Sequence, residues 1–263
     1  MITMFPSPCI WVFKTPIEAT LKSIKETAFH FVDIRPDTLD APGAADAMKS
    51  LGLKVSCVDL EGRSNGSAKG SLSLSQSLEK AYSWGARAAY IRPCCNARDL
   101  KDFGRSATDL GAKAAEKGIK LCIEHVPGSA LATARGTLSF VESLNHPNVH
   151  LLLDVGHALL SKEKPWEIAE AAGPKLGYVQ LNDNDGKKDR HWALLDGLLT
   201  LEDLTRLVDT LKRTGYDGTL GLQLSGKLRV LATDFSRNRN LLLRLQIGNE
   251  AKSFKEPETR RKQ

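Results

Sequence analysis

Cysteine is sparse in this chain and follows no pairing pattern. The 263 residues carry five, Cys9, Cys57, Cys94, Cys95 and Cys122. The number is odd, no CxxC occurs and no His stands at zinc-finger spacing, so neither a disulfide framework nor a structural zinc module is implied. Long hydrophobic runs are missing too, since no stretch approaches the ~18 apolar residues of a membrane span. The start, Met1-Ile2-Thr3-Met4-Phe5-Pro6, lacks a basic segment leading into an apolar one, which makes a cytoplasmic protein with reduced thiols the expectation. No GxGxxG follows the first expected strand, which removes the dinucleotide-binding fingerprint. Nor is there a charge surplus over the body of the chain. The formal charge is +6, but from Lys227 onward ten Lys/Arg face four Asp/Glu, which leaves residues 1–226 neutral. A nucleic-acid groove across the body is therefore disfavoured, and the basic excess belongs to a last helix and a tail.

What is present has the composition of an ordinary folded domain, 41% hydrophobic and 26% charged. Strand-like runs alternate with helical patterns, and the spacing predicts strands near Cys9–Val12, Phe29–Ile34, Lys54–Val58, Ala88–Ile91, Lys120–Glu124, His150–Leu153, Gly177–Leu181 and Thr219–Leu224. Helical period is visible at Ile17, Leu21 and Ile24, and again at Leu201, Leu204, Leu207, Val208 and Leu211. Gly52, Gly85, Gly118 and Gly215 stand where helices should end in a left-handed residue. Eight βα units predict a single-domain α/β fold, a (β/α)₈ TIM barrel over residues 1–248 with a basic tail at 249–263, in preference to an open doubly wound sheet.

In such a barrel the chemistry sits at the carboxyl ends of the strands. Those ends carry Asp33, Asp59-Leu60-Glu61, Arg92, Glu124-His125, Asp154 with His157, Gln180 with Asn182 and Asp183, and Gln223. An ionisable group placed after an apolar run needs a metal, partner or substrate to offset its desolvation. Arg92 is suited to a substrate carboxylate or phosphate, or to a salt bridge with Glu61 or Asp59 across the barrel top. The polar loop from Glu61 to Gly70 reads as a lid or as plain surface. Trp11 and Trp192 read as pocket walls or core aromatics. Cys94 and Cys95 stand at a strand end with no activating base beside them.

Four segments then make a specific resemblance: Leu121-Cys122-Ile123-Glu124-His125, Leu152-Leu153-Asp154-Val155-Gly156-His157, Val179-Gln180-Leu181-Asn182-Asp183-Asn184, and Gly215-Tyr216-Asp217-Gly218 ahead of Leu220-Gly221-Leu222-Gln223. Over about residues 5–245 the chain resembles the xylose isomerase-like sugar isomerase/epimerase family. That family includes ketose epimerases, hydroxypyruvate isomerase, inosose and dehydroshikimate dehydratases and AP-site endonucleases.

The resemblance implies one divalent ion (Mn, Zn or Mg) on Glu124, Asp154, Gln180 and Gln223, where the family's epimerases use Glu, Asp, His and Glu. Two amides in place of His and Glu lower the ligand charge, and Gln223 cannot titrate, so exchange of a proton between two carboxylates is disfavoured. Proton abstraction by a single base, Glu124, remains, with His157 as the other catalytic group. His157, Asp189 and His191 are implied in substrate contact or, with Asp154, in an alternative zinc or manganese site. The function expected is an isomerase, epimerase or dehydratase acting on a small polyhydroxylated carbonyl compound. The alternative is a metal-free barrel serving as a binding or accessory protein; an AP-site endonuclease is further off. The expected partner is a small sugar-like substrate, without membrane or nucleic acid, and a homo-oligomer is admitted.

Overall fold

A computed structural model describes residues 4–61, 72–93, 96–228 and 231–247. Cys94, Cys95, most of the loop after Glu61 and the basic tail lie outside these. Eight parallel strands run in spatial order β1-β8-β7-β6-β5-β4-β3-β2: β1 Pro6–Pro8, β2 Phe31–Ile34, β3 Lys54–Asp59, β4 Ala88–Ile91, β5 Lys120–Glu124, β6 Val149–Asp154, β7 Leu176–Leu181 and β8 Leu220–Leu222. Helices cover the outside: α1 Ile17–Glu26, α2 Ala44–Ser50, α3 Leu74–Ser83, α4 Leu100–Glu116, α5 Ala134–Ser143, α6 Val155–Leu160, α7 Pro165–Ala172, α8 Leu201–Arg213 and α9 Leu231–Ile247. The expected TIM barrel is the fold observed. Gly52, Gly85, Gly118 and Gly215 all take positive φ, between 61° and 75°, as helix-ending residues do.

The first strand differs from expectation. Cys9–Val12 is a single bridging residue followed by a 3₁₀ turn, and the strand lies earlier, at Pro6–Pro8. Proline is unusual within a strand because it has no N–H to donate. The structure shows why two are tolerated. Phe5 accepts from Leu220 and Cys9 donates to Leu222, both on β8. Backbone groups alternate sides along a strand, so Pro6 and Pro8 face the opposite edge, toward β2. On that edge the only pairing among the described residues is the bridge Cys9–Asp33. The barrel is thus nearly closed, with its seam where the prolines are.

Alternation also sorts the side chains. Leu121, Ile123, Leu151, Leu153, Val179 and Leu181 join the layer between sheet and helices, each fully buried aliphatic contributing ~1.5–3 kcal/mol. The residues between them point inward, where Cys57, Ala88, Tyr90, Cys122, Leu152 and Tyr178 form a separate interior cluster. The same inward columns end at the top in Glu124, Asp154 and Gln180, and begin at the bottom with Lys120 and His150. Cys9, Cys57 and Cys122 are buried free thiols, as expected. None of the described helices is long and apolar enough to cross a membrane.

Candidate active site

Asp154 organises the top of the barrel. It ends β6 and is also the N-cap of α6, a helix that begins at once after the strand and that the sequence pattern does not predict. One carboxylate oxygen accepts the backbone N–H of His157 at 2.9 Å, a favourable use of charge at a helix start. The amide nitrogen of Asn182 donates to both oxygens, at 3.1 and 3.0 Å. The Asp154 N–H in turn donates to His125 Nε2 at 3.2 Å. Accepting at Nε2 keeps His125 neutral with its proton on Nδ1, and burial, aided by the charge on His157, pushes its pKa down to about 3.

From Asp154 a chain of contacts crosses the mouth. His157 Nδ1 donates to the His125 carbonyl at 2.8 Å and lies 3.5 Å from Glu124 Oε1. Its Nε2 lies 3.3 Å from Asp189 Oδ2, which also takes His191 Nε2 at 2.9 Å. His191 Nδ1 then reaches the backbone carbonyl of Gln223 at 3.1 Å. The loop holding His191 is pinned by a two-way backbone bridge between Asp183 and Trp192, and His191 sits there at φ 50°, a conformation non-glycine residues adopt seldom.

The charges are coupled. Burial pushes the Glu124 carboxyl up to about 7, Asp154 adds to this, and His157 and Arg92 oppose it. Burial also opposes charge on His157, yet Asp154, the hydrogen bond to Asp189 and Glu124 outweigh it and hold this histidine protonated, with a pKa of about 10. Burial would raise Asp189, but the two histidines holding it keep it well below the usual carboxylate range. His157 is therefore an imidazolium among three carboxylates.

Arg92 takes the ion-paired role rather than that of a free anion receptor. Its guanidinium grips Asp59 at 3.1 and 3.0 Å and gives Nε to Glu61 at 3.0 Å, while Nη1 lies 4.0 Å from Glu124. Arg35 adds a second cation on Asp59 at 3.2 Å and lies over the Trp11 ring.

Two triads therefore place their ligand-type atoms within 4.8 Å of one another, Glu124–Asp154–His157 and His157–Asp189–His191. Gln180 stands beside Asp154 in strand register and is fully buried, with neither amide atom hydrogen-bonded. Gln223 enters the contact chain through its backbone carbonyl, and its side-chain oxygen has no partner. The supporting roles of His125 and Asn182 are not assigned by the sequence reading. For Asn182 a signal exists: it lies two residues after Gln180, just past the end of β7 and in the same alternation.

Comparison with known proteins agrees with this architecture. A family model described as xylose isomerase-like TIM barrel matches residues 22–237. A putative hydroxypyruvate isomerase of Streptomyces coelicolor is 32% identical over 124 residues, 43% of this chain and 42% of that protein. An inosose dehydratase of Klebsiella pneumoniae is 33% identical over 95 residues, 35% of this chain and 31% of that protein. The chain thus spans well under half the length of these relatives. Among solved structures, an IolI protein with a bound zinc atom shares the fold at a TM-score of 0.71 and 15% identity, covering 97% of this chain and 100% of that one.

Proposed function

The chain belongs to the xylose isomerase-like TIM barrel family, and from that premise we propose that it isomerises, epimerises or dehydrates a small polyhydroxylated carbonyl compound by abstracting a proton beside the carbonyl. The observation that carries this reading is the buried Glu124 carboxyl, pushed up to about 7, set 3.5 Å from the cationic His157. A base with a pKa near neutrality has both the fraction ionised and the driving force that proton transfer needs. Glu124 takes the carbon-bound proton. The positive charge of His157, held by Asp154 and Asp189, stabilises the negative charge that moves onto the substrate oxygen. In an isomerisation Glu124 returns the proton to the neighbouring carbon while His157 gives its proton to the former carbonyl oxygen and takes the one on the adjacent hydroxyl; in a dehydration Glu124 returns the proton to a departing hydroxyl, which leaves as water. One base suffices for either, which accommodates the amide at Gln223.

A divalent ion fits the donor set. Three carboxylates surround a protonated histidine, so the field that retains the proton on His157 would also attract a metal, and the unpartnered Gln180 amide can offer a neutral oxygen. Glu124, Asp154 and His157 would hold it, with Asp189 and His191 adjacent. Bound there, it would supply Lewis-acid polarisation of the substrate carbonyl. Because Arg92 commits its guanidinium to Asp59 and Glu61, the described residues favour an unphosphorylated substrate over a phosphorylated one.

The test is solvent exchange. Hydroxypyruvate and inosose are incubated with the protein in D₂O, with and without Mn²⁺ or Zn²⁺, and deuterium entry beside the carbonyl is followed by NMR. Exchange that disappears in Glu124→Gln supports the reading. Exchange unaffected by that substitution, or none with either compound under any metal condition, removes it.

A further inference from the structure

The amino-terminal mouth of a TIM barrel is ordinarily the stability face. Here it opens into a cavity of about 480 Å³ whose lining includes Phe5, Phe31, Arg87, Lys120, Asp217 and Thr219, with Ser56 and Tyr178 at its depth. Asp217 is carried there by the Gly215-Tyr216-Asp217-Gly218 turn, which the chemistry at the other end does not use. Tyr216 fastens that turn by donating to the Thr219 carbonyl at 2.8 Å. Asp217 then meets Lys120 at 3.0 Å, so the rim carries two cations, Arg87 and Lys120, to one carboxylate.

The hydroxyls at the inner end are oriented by a single buried acceptor. Ser7 donates to Asp33 at 2.6 Å, Tyr178 donates to both of its oxygens at 2.9 and 2.8 Å, and Ser56 donates to it as well. Thr219 Oγ1 donates to Ser56 Oγ at 2.9 Å, with Tyr178 OH at 3.2 Å. A hydroxyl has one proton and two lone pairs. Ser56 Oγ is ringed by Ser7, Asp33, Tyr178 and Thr219, so with its own proton spent inward Thr219 Oγ1 is the oxygen left to accept at the cavity. Phe5 and Phe31 line the same cavity as an aromatic wall, their ring centroids 5.7 Å apart.

We propose that this mouth is a second ligand site, at the opposite end of the barrel from the candidate active site, and that it takes a small hydroxycarboxylate with a flat apolar body. The hydroxyl donates to Thr219 Oγ1, the body lies against Phe5 and Phe31, and the carboxylate pairs with Arg87 and Lys120. An acceptor at the inner end and cations at the rim match that polarity and not its reverse.

Calorimetric titration with 3-(4-hydroxyphenyl)propionate, which carries its hydroxyl and its carboxylate at opposite ends of a flat ring, tests it. Binding is expected to be saturable with a dissociation constant on the order of 1 mM, typical of a ligand of this size. It should weaken about tenfold for 3-phenylpropionate, which lacks the hydroxyl, and by about the same factor in Thr219→Val. Lys120→Met should weaken it at least as much. Glu124→Gln should leave it unchanged, since that residue is at the other mouth. Unchanged melting temperatures of the variants keep a folding defect from imitating the result. The proposal is overturned if no saturable heat appears at concentrations about tenfold higher, if both acids bind equally, or if Glu124→Gln abolishes binding while Lys120→Met does not.

Discussion

Replacing Asp33 with Asn should flatten the fall of thermal stability as pH rises from about 4 to about 8. Burial pushes the Asp33 carboxyl from 3.8 up to about 6, although the hydroxyls of Ser56, Ser7 and Tyr178 pull the other way. The folded protein therefore holds this proton more tightly than the unfolded chain does. Stability from that proton is full below pH 3.8 and is lost as pH rises through 6. A shift of about two units corresponds to roughly 3 kcal/mol, or about 6–12 °C in melting temperature for a domain of this size. Scanning calorimetry of both proteins across this range gives the relevant quantity, the difference between their two pH profiles. Glu124, pushed up to about 7, and Asp183, pushed up to about 6 by burial, titrate in the same direction, but both proteins contain them and they cancel. Any constant cost of the substitution cancels as well. If the two profiles run parallel, Asp33 has the same pKa folded and unfolded, and the reasoning that its burial raises that pKa is refuted.

Gly156→Ala should lower stability by about 1–3 kcal/mol and impair exchange activity, because the added methyl would fall 1.7 Å from Asn182 Oδ1 and dislodge the amide that holds Asp154; melting curves and deuterium exchange measure the two effects. Titrating metal-free protein with Zn²⁺ or Mn²⁺ to about 100 times the dissociation constant should add ~2.7 kcal/mol, about 5–11 °C in melting temperature. That shift should vanish in Asp154→Asn, and its absence in the unsubstituted protein would count against a metal at this mouth. Thr200→Ala removes one half of the capping box formed with Asp203 on α8 and should cost about 1 kcal/mol in denaturant titration without changing exchange activity.

The barrel was legible because three independent signals coincide: strand-like runs recurring at βα spacing, helical period between them, and glycine at the helix ends. β1 was misplaced because its prolines are compatible with a strand only at an edge that lacks a ladder, and that edge exists only once the barrel has closed. At the site, the strand ends named polar residues that the fold gathers at one mouth, while their partnerships depend on distances across it. Arg92 illustrates this: its type suits an anion receptor, and only the position of Asp59 and Glu61 commits it elsewhere. Asp154 as a helix cap was hidden for a local reason. A six-residue helix starting directly at a strand end is too short to show a period.

The seam between β1 and β2 also bears on synthesis. β1 pairs along its length with β8, and Met4, just before it, exchanges hydrogen bonds at 2.7 and 2.8 Å with the side chain of Gln246 on α9. Its anchors are thus made long after it, the Met4–Gln246 contact spanning 242 residues. β1 cannot be seated until they are, and the nascent chain must carry an open arc from β2 onward until β8 emerges. Closure is then a late, long-range event, of the kind that slows folding and leaves a strand edge open to chaperones in the meantime.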